Sequence, residues 1–243
     1  MYQLLFRIVR WAIALFFSTT ILAVVFFRFM PVWFTPLMFI RCMQHISAGE
    51  SPRLHHEWVS LDADMSRYLP VAVMASEDQR FLIHHGFDFD AIQKAVKRNR
   101  EGGRRKLGAS TISQQTAKNV FLWPGRSWVR KGFEAYFTVL IELIWGKHRI
   151  MEVYLNSIEM GDGIYGAEAV AQRHFGKPAS ELTRAECALI ATTLPNPLRM
   201  NSSSPSAYMR SRRGKIERQM RHIDLFPKDG EDARHDNGTP SHK

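Results

Sequence analysis

The chain has 243 residues, which is enough for one sizeable domain with an appendage and too few for two full domains. Hydrophobic residues make up 45% and charged residues 23%, as in an ordinary folded protein. The formal net charge of +10 predicts an anionic partner, whether nucleic acid, a membrane surface or a phosphorylated substrate. The two cysteines, Cys42 and Cys187, lie far apart without metal-ligand spacing, and we predict that both are free thiols.

The first element in chain order is an uncharged apolar run over residues 11–27. A helix rises about 1.5 Å per residue, so this run just spans a hydrocarbon core of about 30 Å. A cleaved signal peptide would have a shorter apolar stretch followed by a small-x-small site. Here the run ends in Phe26, Phe27 and Arg28, which favours an uncleaved anchor.

Two arginines, Arg7 and Arg10, precede the anchor. The positive-inside rule therefore predicts a single-pass protein of the inner membrane with its main domain on the periplasmic side, a location that disfavours nucleic acid as partner. Residues 31–40 are apolar but too short to span again, and they predict an interfacial segment. The cytoplasmic tip, anchor and interfacial segment together make up residues 1–44.

The remainder is predicted to be mainly α, because strand-like alternation is scarce. Residues 45–65 indicate a connector, and residues 98–108 a mobile basic loop. Residues 224–243 carry charges, Gly and Pro without periodicity and predict a disordered tail, so the domain covers residues 45–223. Helices are predicted over residues 88–97, 110–121, 127–145, 150–156, 166–175 and 183–194.

The first candidate site follows a packed apolar segment and contains Glu77, Asp78, Phe81 and His84. A carboxylate at the end of a packed helix is suited to general-base work on a sugar hydroxyl. A solvated helix end explains the same composition. The histidine lacks further ligands at metal spacing, so a structural or substrate-contact role outweighs metal binding.

The second candidate site covers residues 110–119. On a helix, Ser110, Gln114 and Lys118 share one face at i, i+4 and i+8. Thr111 and Gln115 lie beside this row and Asn119 follows it. Thr111 and Gln114 also match a capping box, which explains those two residues but leaves Lys118 unexplained.

The third candidate site places Arg130 and Lys131 on the same helix face as Glu134, four and three residues before it. Surface ion pairs are the plain explanation. The helix is otherwise strongly apolar, so the charges point to a lined cleft or a helix half in the membrane. A sugar carried on a lipid pyrophosphate would need these elements: one base, several fixed cations and an apolar opening.

At these residues the sequence closely resembles the peptidoglycan glycosyltransferases, the polymerase domain of class A penicillin-binding proteins. Agreement of several blocks in order is far more specific than one short motif. The resemblance covers about residues 65–220. Its blocks are residues 77–88, 108–119, 130–134, 150–156 and 161–169, followed by Phe175, Lys177 and residues 182–197.

The resemblance implies a lysozyme-like helical domain with a membrane-facing jaw. It implies that a glycan chain is transferred from undecaprenyl pyrophosphate to the 4-hydroxyl of lipid II, with Glu77 as general base. Glu134 would be a second catalytic carboxylate that organises the pyrophosphate or a divalent cation (Mg or Mn), although no cofactor is certain. Other cell-wall synthases are candidate partners. The implied substrate contacts are Asp78, Phe81, His84, Ser110, Thr111, Gln114, Gln115, Lys118, Asn119, Arg130 and Lys131.

The resemblance is to the monofunctional enzyme, because no Ser is followed three residues later by Lys and a transpeptidase domain is therefore not expected. Two alternatives remain open at this point. A lysozyme-like lytic transglycosylase would use a glutamate but would not need the cluster of Lys and Arg. A non-enzymatic anchored protein would bind anionic lipid through its basic loop.

Overall fold

A computed structural model describes residues 2–101, 108–125 and 127–230. These residues contain ten α-helices and three short strands, so the prediction of a mainly α protein is confirmed. The helices are α1 (Tyr2–Phe29), α2 (Pro36–Ser47), α3 (Tyr68–Glu77), α4 (Phe89–Arg100), α5 (Ile112–Phe121), α6 (Trp128–Ile144), α7 (Gly146–Ser157), α8 (Ala167–Phe175), α9 (Arg184–Thr193) and α10 (Ala207–Gln219). The strands are β1 (His55–His56), β2 (Glu159–Gly161) and β3 (Ile164–Tyr165).

The N-terminal helix α1 extends the predicted apolar run in both directions. Within the described residues it is the one helix long and apolar enough to cross a membrane. Most of its side chains are exposed, which is compatible with a helix that faces lipid. Its second half nevertheless docks on the domain, since the Trp145 indole donates to the Val24 carbonyl at 2.7 Å and the hydroxyls of Thr20 and Tyr136 lie 2.8 Å apart.

The core of the domain is built around α3. This helix is apolar all round, and each of its residues from Leu69 to Ala75 is buried. It packs against α9 and α10, while α5 packs against α6 and α7. Because α3 is fixed on every side, its last residue, Glu77, is held where the helix leaves the core.

Side-chain caps fix where several helices begin, and they agree with the predicted helix starts. Asp88 accepts from the Ala91 amide and begins α4, as predicted. Ser127 caps α6, and Thr183 forms a capping box with Glu186 at the start of α9. Both cysteines are free, and Cys187 is buried in α9 as expected.

Two predicted irregular segments differ from the structure at their edges. Residues 98–100 belong to α4, where Lys97, Arg98 and Arg100 occupy the last turn and complement the helix dipole. The rest of the predicted basic loop mostly lies outside the described residues, which stop at 101 and resume at 108. The segment predicted as a connector contains the end of α2 and the strand β1.

The predicted tail starts with residues that pack against the domain. Phe226 stacks on the buried ring of Phe81, with ring centroids 6.3 Å apart, and lies beside His148. One aromatic side chain in a polar segment therefore ties residues 224–230 to the core. Residues 231–243 of the predicted tail lie outside the described residues.

The three strands form a small sheet in the order β1-β3-β2. β2 and β3 are antiparallel neighbours, and β1 adds in parallel on the other side of β3. The sheet matters because β2 carries Glu159, a buried carboxylate, to the edge of the cleft described next.

Candidate active site

Two neighbouring cavities contain most of the predicted site residues. We name the first, of about 460 Å³, the Glu77 cavity, and its lining includes Glu77, Arg80, Asp88, Lys94, Arg212 and Lys215. We name the second, of about 540 Å³, the cation cavity, and its lining includes Gln115, Lys118, Asn119, Arg130, Lys131 and Glu134. Ser110 borders both cavities, and Gln115 of the cation cavity donates to Glu77 of the other, so the two cavities are neighbours and we refer to them together as the cleft.

Glu77 is held by neutral hydrogen-bond donors. Its Oε2 accepts from the Gln115 amide at 3.2 Å, and its Oε1 accepts from the Ser76 hydroxyl at 3.1 Å. The Arg212 guanidinium, from α10, lies 3.9 Å from Oε1 and donates to the same Ser76 hydroxyl at 3.2 Å. The carboxylate is thus oriented without being locked in a close ion pair, and it stays partly open to the cavity.

A buried tyrosine sets the orientation of Gln115. The Tyr154 hydroxyl donates to Gln115 Oε1 at 3.2 Å, which leaves the Gln115 amide nitrogen facing Glu77. Burial, together with the negative charges of Glu77 and Asp78, holds the pKa of Tyr154 well above its ordinary value. The hydroxyl therefore keeps its proton and can serve as a donor.

Asp78, which lines the Glu77 cavity, forms a buried pair with His84, which does not. His84 Nε2 lies 2.9 Å from the Asp78 carboxylate, which also accepts from the Ile112 amide at 3.0 Å. Phe81 is fully buried against Phe226. Neither Phe81 nor His84 lines either cavity. Their burial is compatible with support of the loop that holds Glu77, and their predicted contact with substrate stays a prediction.

The capping-box explanation holds for Thr111 and Gln114. Gln114 Oε1 accepts from the Thr111 amide at 3.0 Å, so its side chain folds back and is buried. Thr111 donates to the Gly86 carbonyl at 2.7 Å. Gly86 has φ +88°, and a Cβ there would lie 2.8 Å from Thr138 Cγ2, so only glycine allows this close approach.

The polar side chains of α5 that line the cation cavity share Lys118 with the predicted row, but Gln115 takes the place of Gln114. The helix begins at Ile112, so Ser110 precedes it, and Gln114 is used by the cap. The side chains that line the cation cavity are instead Gln115, Lys118 and Asn119, at i, i+3 and i+4. Gln114 is buried by its capping role and lines neither cavity, so its predicted substrate contact stays a prediction.

The cluster on α6 is confirmed as a shared helix face. The Glu134 side chain is 4% exposed; Arg130 lies 2.8 Å from its Oε2, and Lys131 is ion-paired with its Oε1. Both carboxylate oxygens are therefore occupied by cations. A divalent cation at Glu134 does not fit this donor set, because it would have to displace both partners, and no group of three metal-ligating side chains occurs in the described residues.

Lys118 connects the two halves of the cleft electrostatically. Within the described part of the chain it has no hydrogen bond or close ion pair. Burial lowers the pKa of Lys118, Glu134 and Glu77 raise it, and Arg130 and Lys131 lower it. The Lys118 ammonium therefore interacts electrostatically with both carboxylates, but it forms a close ion pair with neither of them.

The structure adds residues that the sequence interpretation did not single out. Tyr154 and Arg212 support Glu77, while Arg41 and Glu159 line the cation cavity. Tyr154 lies within the matched block 150–156, and Arg212 lies in a basic run on α10. Nothing in the local pattern of Arg41 connects it to residues so far along the chain.

Comparison with known proteins gives a consistent result. A family model described as Transglycosylase matches residues 43–221. A protein of Bacteroides thetaiotaomicron named biosynthetic peptidoglycan transglycosylase is 59% identical over 91% of this chain and 90% of its own length. Proteins of the same name from Caulobacter vibrioides and Salmonella schwarzengrund are 56% identical over 81% of this chain and 82% of the relative, and 50% identical over 91% and 90%.

Proposed function

The chain belongs to the transglycosylase family of peptidoglycan synthesis, and on this premise we propose that it polymerises glycan strands from lipid II. Its helical domain is lysozyme-like, as the resemblance implied. The observation that carries the proposal is the cleft itself. One partly open carboxylate, Glu77, shares it with three cations, Lys118, Arg130 and Lys131.

In the proposed reaction Glu77 accepts the proton of the 4-hydroxyl on the acceptor sugar. The freed oxygen attacks the anomeric carbon of the donor chain, and the bond from that carbon to the pyrophosphate oxygen breaks. The hydrogen bonds from Gln115 and Ser76 support this role because they orient the carboxylate toward the cavity. A carboxylate that is already oriented loses less conformational entropy when it reaches the reactive geometry with the hydroxyl.

The leaving pyrophosphate is proposed to lie in the cation cavity. Pyrophosphate departs without full protonation if its charge is neutralised, and preorganised cations do this with little reorganisation. Lys118 is the least engaged of the three cations and would move most readily onto a phosphate oxygen. Glu134 would act through the cations, because it holds Arg130 and Lys131 in place rather than touching the sugar.

We further propose that α1 anchors the enzyme in the inner membrane with the cleft on the periplasmic side. Exposed aromatic side chains after α1, on the loop before α6 and at the start of α6 support an interfacial position, namely Trp33, Phe34, Trp123 and Trp128. A cleft close to the bilayer suits a substrate whose pyrophosphate is covalently linked to a membrane lipid. We keep residues 45–223 as the proposed catalytic domain.

The test is a polymerisation assay with purified lipid-linked precursor, with and without a chelator. We expect glycan polymer from the precursor, no release of fragments from intact cell-wall sacculi, and no effect of the chelator. Fragments from sacculi without polymer from the precursor would identify a lytic enzyme. Salt-sensitive lipid binding without turnover would identify a non-enzymatic protein.

A further inference from the structure

The helix that follows the anchor forms one wall of the cation cavity. Thr35 caps α2 through the Met38 amide, and α2 packs against α5. Leu37 and Arg41, four residues apart on α2, share a face and both line the cavity. Arg41 is thus a cation that belongs to the membrane-proximal segment yet faces the same space as Lys118 and Arg130.

The guanidinium of Arg41 is only loosely held. Its Nη2 lies 3.4 Å from Glu159 Oε2, and its Nη1 donates to Gln44 at 3.0 Å. Its Nε is buried and has no hydrogen-bond partner in the described part of the chain. Charge-assisted hydrogen bonds are about 2.7–2.9 Å long, and the Arg130–Glu134 contact has such a length at 2.8 Å. Arg41 therefore keeps donor capacity that its present partners do not use.

Glu159 is a weak counter-ion for Arg41. The Glu159 side chain is 4% exposed on β2, and its other oxygen meets the Tyr165 hydroxyl at 3.4 Å. Burial raises the pKa of Glu159, and the neighbouring Arg41 and the Tyr165 hydroxyl offset this only in part. Glu159 thus offers Arg41 one long contact at 3.4 Å, whereas a pyrophosphate offers several charged oxygens that can accept short, charge-assisted hydrogen bonds.

We propose that Arg41 is a phosphate-binding residue of the cation cavity, and that Glu159 holds it at the cavity wall until the lipid-linked pyrophosphate arrives. The inference rests on the proposed function and deepens it, because it makes the segment next to the anchor part of the substrate site. A cation on α2 sits at the end of the chain closest to the bilayer, where a phosphate chained to a lipid must lie. The pyrophosphate would then contact a cation on α2, Arg41, in addition to the cations on α5 and α6.

Two substitutions with opposite expected effects test this proposal. Arg41→Ala should raise KM for the precursor about tenfold, and should weaken inhibition by inorganic pyrophosphate by a similar factor, with kcat less affected. Glu159→Gln removes the competing charge and should tighten pyrophosphate inhibition about threefold. If the Arg41–Glu159 ion pair were purely structural, removal of either partner would disturb the cavity. Both variants would then show weaker pyrophosphate inhibition. Arg41→Lys should recover part of the loss.

Arg53→Ala is the matched control. Arg53 also ties the N-terminal segment to the β2–β3 turn, through Asp162, but it lines neither cavity. It should leave KM and pyrophosphate inhibition unchanged, and circular dichroism should show that all variants fold. If Arg53→Ala raised KM and weakened pyrophosphate inhibition as much as Arg41→Ala does, Arg41 would have only a structural role and the inference would be wrong.

The outcomes also separate this inference from the proposed function. A wild-type enzyme that makes no polymer would refute the proposed function. An active wild type with an unaltered Arg41→Ala variant would refute only the role of Arg41. If Arg41→Ala lost binding to phosphatidylglycerol vesicles while pyrophosphate inhibition stayed unchanged, Arg41 would be a bilayer contact and the inference would be wrong.

Discussion

Two of the glutamates that line the cleft, Glu77 and Glu134, occupy opposite environments. Glu134 is buried and neutralised on both oxygens by Arg130 and Lys131. Glu77 accepts two hydrogen bonds from neutral donors and keeps Arg212 at 3.9 Å. Both oxygens of Glu134 are taken by cations, whereas Glu77 has no close ion pair and stays partly open to its cavity, where a hydroxyl can approach it. The different roles proposed for the two glutamates therefore rest on their hydrogen-bond and ion-pair partners, and not on the residue type.

The largest expected effect comes from Glu77→Gln. The amide cannot accept the proton of the acceptor hydroxyl, and general-base catalysis contributes about 10²–10⁴-fold to rate. We expect polymerisation to fall by about that factor, with an unchanged melting temperature, in an assay with lipid-linked precursor. Retained activity would remove Glu77 from the proposed role.

The next effect in size is that of Glu134→Gln. It leaves the buried Arg130 without its counter-charge, and breaking a buried pair costs about 3–5 kcal/mol of folding stability. Displacement of the cations should also lower activity by about 10²-fold. Thermal unfolding and initial rates measure both effects. Glu217→Gln, which breaks the more exposed i,i+4 pair with Arg213, should change neither.

A pH profile separates Lys118 from its neighbours. Because burial lowers its pKa, Lys118 loses its proton at lower pH than an ordinary lysine, so precursor binding should weaken early on the alkaline side. Lys118→Arg keeps a permanent charge and should move the alkaline limb of kcat/KM to higher pH. Lys177→Arg, at the distant pair with Glu186, serves as control. Superimposable profiles for wild type and Lys118→Arg would contradict this account.

The smallest expected effect is that of Tyr154→Phe. Without the Tyr154 hydroxyl, the Gln115 amide is free to turn its oxygen toward Glu77. The loss of one neutral hydrogen bond, about 1 kcal/mol, corresponds to roughly fivefold in kcat with KM little changed. Tyr68→Phe removes a surface hydroxyl beside Arg67 and should have no effect. If Tyr154→Phe lowered only the free energy of unfolding and left kcat unchanged, Tyr154 would stabilise the core without orienting Gln115.

Much of the fold was predictable because its signals are local. The caps at Asp88, Ser127 and Thr183 and the apolar run of α1 are read from neighbouring residues, and the structure agrees with them. The charged face of α6 was predictable for the same reason, since Arg130 and Glu134 are one helical turn apart.

The contacts that the sequence could not supply are those between distant segments. The pairing of Arg41 with Glu159 and that of Arg212 with Glu77 join residues more than a hundred positions apart. One local ambiguity was also decided by geometry, because Gln114 caps α5 and leaves its neighbour Gln115 to face the cleft. The resemblance implies that Phe81 and His84 contact substrate, whereas the structure buries both side chains, a feature that no local pattern predicts.

The central claim is that proton acceptance and pyrophosphate binding reside in separate halves of one cleft. The equilibrium affinity of Glu77→Gln and of Lys118→Ala for lipid-linked precursor tests it directly. The account predicts that Glu77→Gln binds as tightly as the wild type without turning over, while Lys118→Ala binds about tenfold more weakly. Lost binding in Glu77→Gln, or wild-type binding in Lys118→Ala, would contradict it.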